Sequence, residues 1–240
     1  AIAHNNSKFK FTEPFKGLFT QGMVCHETYK NENNKWLSPD EVETKDGKKF
    51  YEKNNTTKKV LVGPSESMSK SKRNTIDPED IINNYGADSV RLFILSDSPP
   101  EKDIQWSDQG MIASYKFIQK LWGLHEKIVK IIKKDTKGDK EEINKYTNQL
   151  INKVNGNLER FNYNVIIANI YEAYNFLNKK IDGKIDGNEL KDNYRKILTI
   201  MSPIIPHFTS ECLGDLKLKA FQKWPEVNKK FLEEDIINFV

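Results

Sequence analysis

Residues 63 to 74 read GPSESMSKSKRN, and what flanks them decides the fold. Upstream, Lys58-Lys59-Val60-Leu61-Val62 is a short β-branched run that predicts a strand ending at Gly63-Pro64. Downstream, Asp77-Pro78-Glu79-Asp80 is a capping residue, a proline at the first helical position and two acids, so a helix starts there. The segment between is a polar loop from strand to helix. Its Ser69-Lys70-Ser71 places two hydroxyls around an ammonium, with Lys72 and Arg73 behind. Such a loop suits an anion: lysine supplies a mobile charge, hydroxyls donate hydrogen bonds, and a helix N-terminus adds partial positive charge. The plain alternative is a solvated basic turn. No glycine precedes the Lys-Ser pair at P-loop spacing, so a Walker nucleotide loop is excluded.

Outward on the N-terminal side, the chain reads as strands and loops. Gly17 to Glu27 is rich in aromatic and β-branched residues and predicts a strand. Ser38-Pro39-Asp40-Glu41 starts a helix that Gly47 limits to one or two turns. On the C-terminal side the chain reads as helices. Gly86 ends the first, Asp88 caps a second, and Ser98-Pro99-Pro100 stops it. Ser107-Asp108 opens a long helix whose apolar stripe runs from Met111 to Ile132 at three- and four-residue spacing. Further helices are predicted over about 141–161, from an Asn164 cap to Ile181, over 188–201, and over 207–213 beyond Pro203 and Pro206. Helices with short links predict an antiparallel bundle. The fold class is therefore α+β, mainly α overall.

Composition bounds the rest. At 240 residues the chain holds one or two domains. Two cysteines, Cys25 and Cys212, exclude a disulfide scaffold and an all-cysteine zinc site. No apolar run approaches the ~20 residues of a membrane span, and no signal peptide is visible, which points to the cytoplasm. Charge is uneven: residues 1–75 hold 14 Lys/Arg against 9 Asp/Glu, whereas the remainder is close to neutral. The basic excess thus sits on the third that ends in the loop, and the helical remainder is no dense phosphate clamp.

Met68-Ser69-Lys70-Ser71 resembles the Lys-Met-Ser-Lys-Ser signature of class I aminoacyl-tRNA synthetases. Lys72 to Pro78 resembles its extension, and Tyr85-Gly86-Ala87-Asp88-Ser89-Val90-Arg91-Leu92-Phe93 its stem-contact helix. Within the class, the stretches Leu18–Val24, Ser96–Trp106, Ser202–His207 and Lys223-Trp224-Pro225 look most like the leucyl branch. The resemblance implies that residues 1–75 are the carboxyl-side part of a Rossmann-type catalytic domain, 76–106 a stem-contact fold and 107–240 a helical anticodon-binding bundle. It implies ATP as substrate, with Mg2+, together with leucine and tRNA(Leu) as partners. Ser67, Met68, Ser69, Lys70 and Ser71 would form the ATP-binding loop, with Lys70 on the phosphates. Lys72, Arg73, Lys116, Lys120, Lys153 and Arg160 are candidate tRNA contacts, each equally consistent with a solvated helix or loop face. The first lysine of the signature is replaced by Ser67 here, beside Glu66.

The class also uses a His-x-Gly-His motif. The four histidines, His4, His26, His125 and His207, include no pair at that spacing, and no threonine-rich editing pocket is visible. The chain begins Ala1-Ile2-Ala3-His4 and is read as an excised carboxyl-side piece, monomeric and inactive without the remainder of the enzyme. Two other readings stand beside this one: a piece of a valyl, isoleucyl or methionyl enzyme, or a non-catalytic tRNA-binding helical module. No metal site is expected. Cys25 and His26 point to opposite faces of a strand, His207 reads as a packing or capping residue, and Trp106 and Trp122 as core residues rather than base-stacking platforms.

Overall fold

The computed structural model describes residues 15–44, 47–134, 136–220 and 222–232. His4 and the two chain ends lie outside the described residues. The N-terminal third is a sheet of β1 (Val24–Lys30), β2 (Trp36–Leu37), β3 (Val42–Thr44), β4 (Phe50–Glu52) and β5 (Asn55–Ser67) in the order β2-β1-β5-β4-β3. A short β6 (Ile104–Gln105) returns from the helical half to pair parallel with the start of β1. Tyr29, Leu37 and Val60 form a small core here, with Val42 and Phe50 packed on it.

The strands differ from the sequence expectation at their ends. The first begins at Val24 rather than Gly17 and runs on to Lys30. The strand expected to stop before Gly63-Pro64 continues to Ser67. Proline is accommodated because the β1–β5 register shifts between His26 and Thr28, opposite Gly63. The Thr28 hydroxyl there donates to the Pro64 carbonyl at 3.1 Å. The helix expected at Ser38 is a single 3-10 turn, Pro39–Glu41, because Val42 enters β3 at once.

The helices are α1 (Pro78–Tyr85), α2 (Ala87–Ser96), α3 (Asp108–Lys133), α4 (Glu141–Glu159), α5 (Tyr163–Lys180), α6 (Gly187–Met201) and α7 (Pro206–Asp215). Their caps follow local chemistry. Asp77 accepts from the Glu79 amide at 2.9 Å, Ser107 accepts from Gly110 at 3.1 Å, and Asp186 caps α6. Gly86, at φ 80°, separates α1 from α2. The α5 helix starts at Tyr163, not after Asn164, because Phe161 turns left-handed at φ 57° and ends the preceding segment early.

Helices α3 and α4 each pack against both α5 and α6, which makes a four-helix bundle, and α2 packs against α3, α5 and α7. The bundle core includes Ile128, Ile151, Ile197 and Leu198, all fully buried. Each such side chain contributes about 1.5–3 kcal/mol on leaving water. Leu92 of α2 lies in the same core. His125, 1% exposed, bridges Tyr194 and Asp215 at 3.1 Å each, so it is a satisfied core histidine.

Two turns join the halves. The Gly22 amide donates to the Pro100 carbonyl and the Met23 amide to Asp103, both at 2.8 Å. A side chain at Gly22 would collide with the Lys102 backbone. On α2, Arg91 donates to the carbonyls of Pro203 and Ile204 at 2.6 and 2.9 Å. Asp88, expected to cap its own helix, lies inside the first turn of α2. It accepts instead from the amides of His207 and Phe208 at the start of α7.

Candidate phosphate-binding loop

The loop from Met68 to Asn74 leaves β5 and enters α1. Its first hydrogen bond ties Met68 to the sheet, amide to the Val24 carbonyl at 3.1 Å. Its last residue, Asn74, is fully buried. The Asn74 amide nitrogen donates to the carbonyls of His26 and Glu66 at 3.2 and 3.1 Å, and its oxygen accepts from the Ser69 amide at 2.8 Å. One side chain therefore holds the two sheet strands and the start of the loop together. Inside the loop, the Ser69 and Ser71 hydroxyls lie 3.3 Å apart and the Lys72 amide approaches Ser69 Oγ at 3.4 Å.

The three cations of the loop have different fates. Lys72 pairs with Glu66. Arg73 pairs with the Glu41 carboxylate at 2.9 Å and donates to Ser38 Oγ and the Trp36 carbonyl at 3.4 and 3.3 Å. The Ser38 amide holds the Glu41 carboxyl below the usual carboxylate range, and Arg73 adds to that pull. The Lys70 side chain is exposed and makes no ion pair or hydrogen bond among the described residues. It borders a cleft of about 710 Å3 between the Ser38–Asp40 corner and the start of α1. The cleft wall also carries Asp40, Asp77 and Asp80. Three carboxylates against one ammonium make the floor unfavourable for a polyphosphate. The mobile Lys70 ammonium is the group able to meet an anion presented from the open side.

Ser67 ends β5 with its side chain exposed, and Glu66 faces Lys72, so the acid beside the signature is neutralised locally. Both the Glu41–Arg73 and Glu66–Lys72 pairs escaped sequence reading, as did the hub role of Asn74: Glu41 and His26 are brought in by distant chain, and Glu66 meets Lys72 through the fold of the loop. The helical candidates lie apart from the loop. Lys116 and Lys120 are exposed one turn apart on α3. Lys153 lies on α4, 3.7 Å from Glu172, and Arg160 ends that helix. Cys25 is buried and His26 half-buried on β1. Trp106 packs edge-on to Phe93 and bonds Asp108 at 2.8 Å, but it is half-buried and lies outside both core clusters. Trp122 is 38% exposed. No cluster of three or more metal-ligating side chains occurs among the described residues. No helix among them is long and apolar enough to cross a membrane.

Two family profiles match the chain: tRNA synthetases class I (I, L, M and V) over residues 47–107, and the anticodon-binding domain of tRNA ligase over 140–240. Leucine–tRNA ligase from Chelativorans sp. (strain BNC1) is 38% identical over 240 residues, covering 94% of this chain and 28% of that protein. The Rickettsia bellii (strain RML369-C) leucine–tRNA ligase is 41% identical over 227 residues, covering 93% of this chain and 27% of its own length. The chain is similar to leucine–tRNA ligases along nearly its whole length. It spans a little over a quarter of the length of these relatives. The fold agrees: the LeuRS–tRNA–LeuAMS ternary complex from Agrobacterium radiobacter K84 superposes with a TM-score of 0.72 at 22% identity, covering 97% of this chain and 26% of that one. The resemblance read from the Met-Ser-Lys-Ser loop and the α+β assignment both hold.

Proposed function

We propose that the chain serves as the phosphate-loop and helical-bundle portion of a leucine–tRNA ligase working in the cytoplasm. The observation that carries this reading is the state of the loop cations: in a chain similar to these ligases, Lys72 and Arg73 are held by Glu66 and Glu41, and Lys70 alone is free to meet a ligand. In the first half-reaction the leucine carboxylate attacks the α-phosphorus of ATP, the α–β bridging bond breaks, and pyrophosphate leaves. Negative charge grows on the leaving phosphates. An ammonium placed there lowers the barrier by position and charge alone. Magnesium arrives with ATP as part of the substrate. Ser69 and Ser71, whose hydroxyls adjoin, hold the loop backbone around Lys70. In the second half-reaction the leucyl group passes to the terminal adenosine of tRNA(Leu). The bundle lies along the tRNA, with Lys116, Lys120, Lys153 and Arg160 as its backbone contacts.

The division of labour follows the same reading: the sheet and loop belong to catalysis, α1 and α2 connect, and α3 onward carry the tRNA. The sequence contains no His-x-Gly-His, the other half of the ATP site in this class. The purified 240-residue chain should therefore show no leucine-dependent pyrophosphate exchange, while the full-length ligase carrying it exchanges with leucine in preference to valine, isoleucine or methionine. Robust exchange by the isolated chain, or preference for another amino acid, would refute the reading.

A further inference from the structure

Arg73 stands at φ 55°, a left-handed backbone position that residues other than glycine seldom take. The conformation aims its guanidinium away from the open side of the loop and into the corner between β2 and the 3-10 turn. There it meets the Glu41 carboxylate through both terminal nitrogens, at 2.9 and 3.2 Å, and also reaches Ser38 and the Trp36 carbonyl. Charge-assisted, two-pronged contacts of this kind fix direction as well as distance. The corner it grips is one wall of the cleft beside Lys70, formed by Ser38, Pro39 and Asp40. The opposite wall is the loop and the start of α1. The ion pair therefore spans the cleft from behind, and the Arg73 amide, which bonds the Lys70 carbonyl at 3.3 Å, closes the turn that carries Lys70.

We propose that Arg73 is a positioning residue for Lys70: its ion pair with Glu41 sets where the Lys70 turn rests relative to the Ser38–Asp40 wall. The proposal rests on the reading of Lys70 as the phosphate ligand. Lys72 takes no part, since Glu66 holds it on the other side of the turn.

The variants are Arg73→Gly and Glu41→Gln. Glycine relieves the left-handed strain as it removes the guanidinium, so the fold is retained in at least that variant. In the 240-residue chain, backbone hydrogen exchange over residues 69–73 should quicken roughly three- to tenfold in each variant, the size expected for a partly exposed charge-assisted pair, with the bundle helices unchanged. In the full-length ligase, KM for ATP in pyrophosphate exchange should rise by a similar factor while kcat changes less. The double variant should be no worse than either single one. Unchanged loop exchange, or additive effects in the double variant, would overturn the proposal. So would normal ATP kinetics in both pair variants when Lys70→Ala is impaired. If Lys70→Ala is itself silent, the phosphate reading falls, and this proposal with it.

Discussion

The carboxylate of Asp88 accepts a hydrogen bond from the amide of Phe208 at 2.6 Å, across 120 residues of chain. Asp88 also lies 2.9 Å from His207 Nδ1. The carboxylate thus caps α7 from another helix, where Ile205 at the N-cap offers no side-chain acceptor. One turn along α2, Arg91 satisfies the carbonyls of Pro203 and Ile204 just before the same turn. The pair grips both sides of the Pro203–Phe208 bend.

Removing Asp88 leaves the buried Phe208 amide without its partner, and removing Arg91 does the same to the part-buried Ile204 carbonyl. Asp88→Ala should destabilise the chain by about 2 kcal/mol, within the range for a hydrogen bond to a charged group. Arg91→Met, which keeps the stem, should cost about as much. Urea unfolding followed by far-ultraviolet circular dichroism would read both, and a change below ~0.5 kcal/mol would contradict the capping role.

Asn74 is the hub of the loop, and Asn74→Ala should cost about 1–3 kcal/mol because the Ser69 amide and two sheet carbonyls lose their partner together. Trypsin should then cut after Lys70 and Lys72 sooner than elsewhere. Equal cutting in variant and parent would show that the loop is held by other means.

Lys70→Ala in the full-length ligase should lower the adenylation rate by ~10²-fold or more, the size of losing one key transition-state contact. Lys72→Ala should fall far short of that, since Lys72 is already paired with Glu66. Matched single-turnover measurements would separate the two. Equal losses would mean that the Glu66 pair opens in the complex.

Burial pushes the Cys212 thiol up to about 12. At pH 8 it should stay protonated and unreactive to iodoacetamide until denaturant opens the bundle. The linkage sign is that of a raised folded value: this group's contribution is complete below the unfolded value of ~8.5 and is lost as pH rises towards the folded one. Stability should therefore decline above about pH 9, and Cys212→Ser should flatten that decline in a series of urea titrations.

Lys116 and Lys120 are exposed on one side of α3. If they touch tRNA phosphates, each change to alanine should weaken binding and lower the slope of log affinity against log salt by about 1. An unchanged slope for both would assign them to a merely solvated face.

What the sequence disclosed follows the range of the interactions. Asp77-Pro78, Gly86, Ser107 and the break before Pro206 act within a few residues, and the helices begin or end at them as read. The loop was legible from the hydroxyl–ammonium spacing of Ser69-Lys70-Ser71 and from its strand-to-helix setting. The misreadings were places where distant chain decides. Gly63-Pro64 looked like a strand end because the pairing with β1 that carries the strand past it is made by distant chain. Asp88 looked like a cap for its own helix because α7 is far away in sequence. The partner of Arg73, Glu41, was invisible for the same reason, whereas Glu66 lies close to Lys72 in sequence and only the fold of the loop shows that the two pair.

The grip of α2 on the Pro203–Phe208 bend has a practical side for anyone exchanging helical halves between synthetases. A splice at Ser107 would take α3 to α7 but leave behind Leu92, which fills their core, and the Asp88 and Arg91 side chains that finish the bend. The recipient would inherit a hole and a frayed helix start. A splice at Gly86, where a left-handed glycine already separates two helices, carries the missing pieces along, and chimaeras cut there should be the ones recovered in soluble, cooperatively folding form.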